Sequence, residues 1–189
     1  MEKIILASAS PRRKELLEQA GIPFEVVVSD AQEIITQEEP GEVVKELSAC
    51  KAKAVAGKYP DHIVLGADTV VVHNGKILGK PKDKEDARKM ICGLQGDTHQ
   101  VYTGVTLIGQ GKEISFYECA DVCVYAMSEA EVEDYLQTQE YADKAGAYGI
   151  QGRFAIFIEG IHGDYNAIVG LPIARVYHEL KKLDKKFNC

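Results

Sequence analysis

The fold is set by Lys3-Ile4-Ile5-Leu6-Ala7-Ser8-Ala9-Ser10-Pro11-Arg12-Arg13, an apolar run that leads directly into a helix start. Residues 3–7 are short and apolar, which predicts a buried strand. Ser10 is a typical helix cap, and Pro11 fits the first helical position. We therefore predict a helix that begins at Pro11 and stops at Gly21.

Strands and helices continue to alternate after this unit. Residues 24–28 are strand-like, residues 40–57 have helical periodicity, and another strand begins at residues 63–65. Asn74-Gly75 then separates two apolar runs, at 70–73 and 76–78, which is the strongest short signal for a β-hairpin.

The second half of the chain is richer in long strands. Further helices are predicted at 84–94, after the capping box of Ser128 with Glu131, and at 172–183, and long strands at 100–108 and 114–125. Alternating elements followed by hairpin strands indicate an α/β fold with a mixed central sheet flanked by helices.

Length and composition indicate an ordinary globular chain. Its 189 residues fit one domain or one two-lobed domain over 1–189, with the polar residues 184–189 expected to fray. The net charge of -7 argues against nucleic-acid binding, which usually needs a broad basic surface. No apolar run approaches the ~18 residues of a membrane span, and the five cysteines contain no C-x-x-C pair. We expect a cytoplasmic protein with reduced thiols and no membrane or nucleic-acid partner.

Basic residues nevertheless cluster locally. Residues 8–13 bring hydroxyls, free backbone amides and two guanidiniums to a helix start, where anions bind. Bases in a first turn oppose the helix dipole, so a ligand explains them better than the alternative of a capped helix with a solvated basic turn. Lys51 and Lys53, and Lys80 and Lys82, form further pairs. This pattern favours a small anionic ligand.

Two carboxylates stand after predicted strands. Asp68 follows the strand that ends at Leu65, at the edge where open α/β sheets place ligands. Glu33 lies in an acidic stretch after the strand at 24–28. Singly, these are ordinary turn and loop acids, but two carboxylates with a phosphate oxygen commonly hold Mg²⁺. The five histidines show no zinc-site spacing.

A glycine-rich run, Asp143-Lys144-Ala145-Gly146-Ala147-Tyr148-Gly149-Ile150-Gln151-Gly152, is the third feature. Small residues let a backbone approach a ligand, and the Gln151 amide can both donate to and accept from a base edge. The run has neither P-loop nor dinucleotide-binding spacing. The three features together indicate a nucleotide-like ligand without identifying the bond that is broken.

Five separated motifs together resemble the Maf family, named for septum formation, from about Ile4 to Leu171. These motifs are the runs at 8–17, 51–54, 66–69, 79–81 and 143–152. The resemblance implies a two-lobed fold with a central cleft, related to the inosine triphosphate pyrophosphatases. It also implies a divalent metal, Mg²⁺ or Mn²⁺, and a homodimer.

The resemblance assigns roles residue by residue. Arg12, Thr69 and Gln151 match the positions associated with base specificity in the dTTP/UTP pyrophosphatase branch, and Asp68 matches the proposed proton acceptor. Residues implied to bind the triphosphate are Ser8, Arg12, Arg13, Lys53 and Lys80, with Lys51 a weaker candidate. Glu33 and Asp68 are implied to engage the metal or its water.

The implied reaction hydrolyses dTTP, UTP or modified pyrimidine nucleotides to a nucleoside monophosphate and pyrophosphate. Asp68 would orient or deprotonate a water that attacks the α-phosphorus, while Arg12, Arg13 and Lys80 neutralise the leaving group. Two alternatives stay open. One is a nucleotide-binding regulator of septation that needs no hydrolysis, and the other is a phosphatase or γ-phosphate-cleaving enzyme, which the absent P-loop disfavours.

Overall fold

The computed structural model describes residues 2–183 and contains, within that range, six α-helices and seven strands. Two short 3₁₀ turns, Ala145–Ala147 and Arg153–Phe157, complete it. The regular elements in chain order are β1 (Ile4–Leu6), α1 (Pro11–Gln19), β2 (Phe24–Val26), α2 (Pro40–Ala56), β3 (Val64–His73), β4 (Lys76–Leu78), α3 (Lys84–Leu94), β5 (Thr98–Gly109), β6 (Lys112–Val124), α4 (Glu129–Gln137), β7 (Ile158–His162), α5 (Tyr165–Val169) and α6 (Ile173–Leu183).

The strands form a mixed sheet in the order β2-β1-β3-β5-β6-β7, with β4 paired to β3 beside this row. β1 runs parallel to β2 and to β3, where Ile5 faces Val64. β3 with β4, and β6 with β7, are antiparallel. The predicted α/β fold with a mixed central sheet flanked by helices is therefore confirmed.

The chain divides into two compact units. Of the described residues, the first contains 2–68, Thr103–Glu118 and 170–183. The second contains Thr69–Tyr102 and Cys119–Val169. Of the predicted site residues, the first unit holds those up to Asp68, and the second holds Thr69, Lys80 and Gln151.

In the first unit, α2 packs closely on the sheet. Ile5 and Val64 of the paired strands share an apolar core with Ala52 and Val55 of α2. Gly66 permits this approach, because a Cβ atom there would lie 2.8 Å from the Ala52 amide nitrogen. Contacts under about 3 Å are too short for carbon, so the helix could not lie this deep over a larger residue.

In the second unit, the predicted hairpin is confirmed. Asn74 and Gly75 have φ values of 49° and 72°, the left-handed pair that a tight two-residue turn requires. The ring of Phe154 packs against those of Tyr135, Tyr148 and Phe157 at centroid distances of 4.7 to 5.6 Å. Tyr148 belongs to the glycine-rich run, so this aromatic cluster includes part of the run.

One prediction about strands is wrong, and one strand was not predicted. The strand predicted to end at Leu65 continues through Asp68 to His73 as the single strand β3, because β3 lies between β1 and β5 and pairs with β4 further along. β7 was not predicted, since Gly160 interrupts its short and half-exposed sequence. It pairs with β6 through an irregular register near Val124.

The predicted frayed tail, residues 184–189, lies outside the described residues. Over the part of the chain that is described, none of the helices has both the length and the apolar character needed to cross a bilayer.

Candidate functional site

Arg13 is the most constrained of the predicted phosphate ligands. Its side chain lies in the first turn of α1 and is buried, with the residue only 8% exposed. Nη1 donates to the Ser8 hydroxyl at 3.0 Å, and Nε donates to the Gly170 carbonyl at 2.8 Å. These bonds fix the guanidinium, so the interpretation as a solvated basic turn does not hold for Arg13.

The electrostatics of Arg13 also depend on its neighbours. Burial lowers the pKa of the Arg13 guanidinium, the carboxylate of Asp68 acts in the opposite direction, and Arg12 adds to the lowering. The structure therefore brings Arg12, Arg13 and Asp68 into one electrostatic group. A polyanion would relieve the repulsion between the two arginines.

Ser10 occupies the predicted N-cap position of α1, but its side chain makes no capping hydrogen bond. The prediction that Ser10 caps the helix is thus correct in place and wrong in contact. Its amide instead donates to the Ser8 hydroxyl at 3.3 Å. The same Ser8 oxygen also receives the Arg13 bond, so Ser8 organises this turn.

Lys51 joins the two predicted metal ligands. Its Nζ lies 3.0 Å from Oε1 of Glu33 and also forms an ion pair with Oδ1 of Asp68. The Lys51 and Asp68 side chains are 18% and 15% exposed, whereas Glu33 is 50% exposed. α2 supplies the lysine, β3 the aspartate and the β2–α2 connection the glutamate, and the three charged groups meet.

Asp68 lies beyond the carboxyl end of the parallel strands although it is inside β3. The last pair between β1 and β3 is Leu6 with Leu65. Beyond it, β1 ends and the chain turns toward Ser8, while β3 continues. The predicted location at the carboxyl edge therefore holds for the parallel part of the sheet.

The carboxylates of Glu33 and Asp68 fit a partly hydrated Mg²⁺ or Mn²⁺. Such ions bind through one or two carboxylates and complete their shell with water and phosphate oxygens. Among residues 2–183, no group of three or more His, Cys, Asp and Glu side chains is arranged to hold a metal. An ion here would need ligands from substrate and water.

Lys53 lies on another side of α2. Its Nζ is 3.0 Å from Oε1 of Glu113, and its side chain is 58% exposed. Residues two apart on a helix do not share a face, so the side chains of Lys53 and Lys51 cannot both point toward Asp68. Glu113 also lines a surface cavity of about 320 Å³ that includes Tyr59. The role of Lys53 in phosphate binding stays a prediction.

In the second unit, the run at 79–81, which contains Lys80, is hydrogen-bonded to the glycine-rich run. The Gly146 amide donates to the Gly79 carbonyl at 3.1 Å. Gly146 has φ of 68°, and a Cβ there would lie 3.0 Å from the Val71 side chain. Lys80 and Gln151 are both exposed in this unit, and Thr69 is half-buried on β3.

Buried aromatic and histidine side chains hold the glycine-rich run. Tyr135 donates through its hydroxyl to the Ala147 carbonyl at 3.1 Å, and the Tyr148 hydroxyl lies 2.7 Å from Nε2 of His99. Burial lowers the pKa of His99 to about 4 and raises the pKa of Tyr148. His99 is therefore neutral near pH 7.

Glu140 supports the turn that follows Gln151. Its Oε2 accepts a hydrogen bond from the Arg153 amide at 2.9 Å. The carboxylate lies against Gly152, where a Cβ atom would be 3.0 Å from its Cδ and closer still to Oε2. Only glycine fits between Gln151 and Arg153 with this carboxylate in place.

Sequence reasoning missed His99, Tyr135 and Glu140 as supporting residues. His99 could have been found, because it shares the alternating buried face of β5 with Val101. The role of Glu140 has no comparable signal, since a hydrogen bond to a backbone amide 13 residues away leaves no periodic pattern.

Curated relatives match nearly the whole chain. A protein from Agathobacter rectalis named dTTP/UTP pyrophosphatase is 54% identical over 201 residues, covering 97% of this chain and 98% of its own. A Bacillus cereus protein of the same name is 52% identical over 185 residues, covering 97% of each chain. A Bacillus cytotoxicus protein of that name is also 52% identical.

Among solved structures, the Staphylococcus aureus Ham1 protein aligns with a TM-score of 0.45 and 16% identity, over 65% of this chain and 72% of that chain. This similarity is too weak to support conclusions about function. The family model described as Maf-like protein, by contrast, matches residues 3–183. Together with the identity to the curated relatives, this match shows that the chain belongs to the Maf family.

Proposed function

We propose that this protein hydrolyses dTTP and UTP, cutting between the α- and β-phosphates to release a nucleoside monophosphate and pyrophosphate. The observation that carries the proposal is the 52–54% identity, over nearly the full length, to proteins named dTTP/UTP pyrophosphatase. The meeting of Glu33, Lys51 and Asp68 supplies a chemical basis for it.

Asp68 is the proposed base. Its carboxylate is only 15% exposed and forms an ion pair with the Lys51 ammonium. In the reaction, Asp68 takes a proton from water as the water oxygen bonds to the α-phosphorus. The bond to the bridging oxygen breaks, and that oxygen leaves with pyrophosphate.

Arg13 is proposed to bind phosphate oxygens from a fixed position. Since Ser8 and Gly170 already orient the guanidinium, little freedom is lost when substrate binds. Its charge offsets the negative charge that builds on the leaving group. Arg12 and Lys80 are proposed to contribute in the same way.

Glu33 and Asp68 are the residues that would hold Mg²⁺ or Mn²⁺. Bound there, the ion would polarise phosphate oxygens and acidify water. Lys51 forms an ion pair with each of these two carboxylates.

Arg12, Thr69 and Gln151 are proposed to select the base. Uracil and thymine each present two carbonyls and an N3–H. The Gln151 amide can donate to a carbonyl and accept from the N3–H. The contacts of Glu140 with Gly152 and with the Arg153 amide fix the backbone that follows Gln151.

Product analysis tests the proposal against its alternatives. We expect pyrophosphate from dTTP and UTP, much less from ATP and GTP, and comparison with CTP and base-modified pyrimidine triphosphates to rank standard and modified substrates. Orthophosphate as the first product would indicate a phosphatase or γ-phosphate-cleaving enzyme. Nucleotide binding without any product would indicate a septation regulator.

The proposal also includes a cytoplasmic homodimer. Light scattering coupled to gel filtration, with a monomer mass of 20.7 kDa as reference, tests the oligomeric state. A mass near one chain would refute the dimer.

A further inference from the structure

Glu33 stands on a segment without regular secondary structure. Residues 27–39, here called the Glu33 loop, connect β2 to α2, and most of their side chains are exposed. The Val27 amide still bonds to the Leu6 carbonyl, at 3.1 Å, but no strand pairing continues beyond it. The position of Glu33 beside Asp68 must therefore depend on side-chain contacts.

Glu46 lies on the second turn of α2 and accepts hydrogen bonds from two residues of the Glu33 loop. Its Oε2 accepts from the Thr36 amide at 2.8 Å and from the Gln37 amide at 3.4 Å. Its Oε1 accepts from the Thr36 hydroxyl at 2.5 Å. The Thr36 side-chain bond, followed by the backbone bond, lowers the pKa of Glu46, so the carboxylate is charged at neutral pH.

Two more contacts continue the attachment along the same helix. Cys50 donates through Sγ to the Gln32 carbonyl at 3.6 Å, and Lys51 pairs with Glu33. Glu46 and Cys50 are four residues apart and so share one face of α2. Residue 32 of the loop bonds to Cys50, and residue 36 bonds to Glu46, which lies one turn closer to the start of α2.

We propose that Glu46 is a positioning residue for Glu33, acting through the backbone and hydroxyl of Thr36. By fixing the far end of the Glu33 loop, Glu46 holds the Glu33 carboxylate beside Lys51 and Asp68. The inference rests on the proposed function, because Glu33 is a site residue only in that reaction. Glu46 itself does not touch the substrate.

The first arm of the test measures the backbone mobility of the Glu33 loop and does not depend on enzyme activity. In Glu46→Ala, we expect faster hydrogen exchange at the Thr36 and Gln37 amides and a lower ¹H–¹⁵N NOE at Glu33. Glu42→Gln is the matched control, because its carboxylate is on the same helix but bonds to Lys45. Unchanged Glu33 dynamics in Glu46→Ala would overturn the proposal.

The second arm is a double-mutant cycle with Glu33→Ala. Loss of a residue that orients a ligand typically lowers activity by about 10- to 100-fold, and we expect Glu46→Ala to lower dTTP turnover to that extent. In the Glu33→Ala background, the same substitution should change turnover less than about twofold. Glu46→Gln, which keeps one acceptor oxygen, should fall between parent and Glu46→Ala.

The outcomes separate the two proposals. An equal loss with and without Glu33 would assign Glu46 a purely structural role and overturn the inference. A parent protein that releases no pyrophosphate from dTTP would refute the proposed function, while the exchange arm would still decide whether Glu46 orders Glu33.

Discussion

The backbone of Gly66 in β3 lies directly against the carbonyl oxygen of Ser48 in α2, with no room for a side chain between them. Ser48 is fully buried, and its hydroxyl lies 2.8 Å from that of Thr106. Gly66 stands two residues before Asp68, and Ser48 three before Lys51. The close approach thus fixes the distance between the backbones that carry this ion pair.

Gly66→Ala should destabilise the protein. The added methyl group would overlap the Ser48 carbonyl, and overpacking of this kind costs about 1–3 kcal/mol. Denaturant unfolding measures the change. Gly57→Ala is the control, because Gly57 follows α2 in a helical conformation with nothing within 4 Å of its Cβ position. Equal stabilities of the two variants would contradict the packing explanation.

Asp68→Asn should lower dTTP turnover by at least ~100-fold, since it removes the proposed base while preserving shape. The variant should stay folded, because Lys51 retains Glu33 as a partner. Steady-state kinetics and circular dichroism test both points, with the exposed Asp61→Asn as the control. A folded Asp68→Asn variant within a few-fold of the parent would exclude Asp68 as the base.

Chelation with EDTA should abolish activity without unfolding the protein, and added Mg²⁺ or Mn²⁺ should restore it. The two carboxylates Glu33 and Asp68 leave most of the coordination shell to water and substrate, so the ion should not support the fold. Full activity after exhaustive chelation would refute the metal role. A fall in melting temperature on chelation would indicate a structural ion instead.

His99 should make stability depend on acid pH. Its pKa is about 4 in the folded state and 6.5 as the reference value, so the unfolded chain binds its proton first as pH falls. The contribution of His99 to the free energy of unfolding is constant above pH 6.5. As the pH falls from 6.5 toward 4, the free energy of unfolding decreases by up to about 1.4 kcal/mol per pH unit. Urea unfolding at pH 7.5 and 5 should show a smaller decrease in His99→Gln than in the parent. The same substitution at the exposed His178 should leave the parent's decrease unchanged.

Gln151→Ala should reduce kcat/KM for dTTP and UTP by roughly 5- to 150-fold, as expected for one lost hydrogen bond of ~1–3 kcal/mol to a desolvated base. ATP and GTP should be affected much less. Gln19→Ala, at an exposed position of α1, is the matched control. If the ratio of kcat/KM for dTTP to that for ATP is the same in Gln151→Ala and the parent, Gln151 has only a structural role in its loop.

Elements with local signals were predicted closely. α3 spans Lys84–Leu94 as expected, and the Ser128 capping box forms both of its bonds with Glu131. These features depend on residues three or four apart, which the chain itself brings together. The mixed sheet was predictable for a related reason, since the hairpin at Asn74-Gly75 requires an antiparallel pair.

Features that depend on distant partners were not predictable. Ser10 has the right identity for a cap, but Ser8 and Arg13 make the bonds at that turn. β3 continues past Asp68 because other strands pair with it, which its own residues do not indicate. Likewise, Lys51 was a weak candidate from its motif, and only the structure places it between Glu33 and Asp68.

The glycine contacts of α2 limit how the first unit can adapt to a ligand. The backbone of Gly104 lies against the Val44 carbonyl, one turn before Ser48 in α2, much as that of Gly66 lies against the Ser48 carbonyl. Two such backbone contacts prevent α2 from sliding or rolling on the sheet. Within the first unit, backbone adjustment to a bound ligand should therefore fall in the Glu33 loop, residues 27–39, rather than in α2.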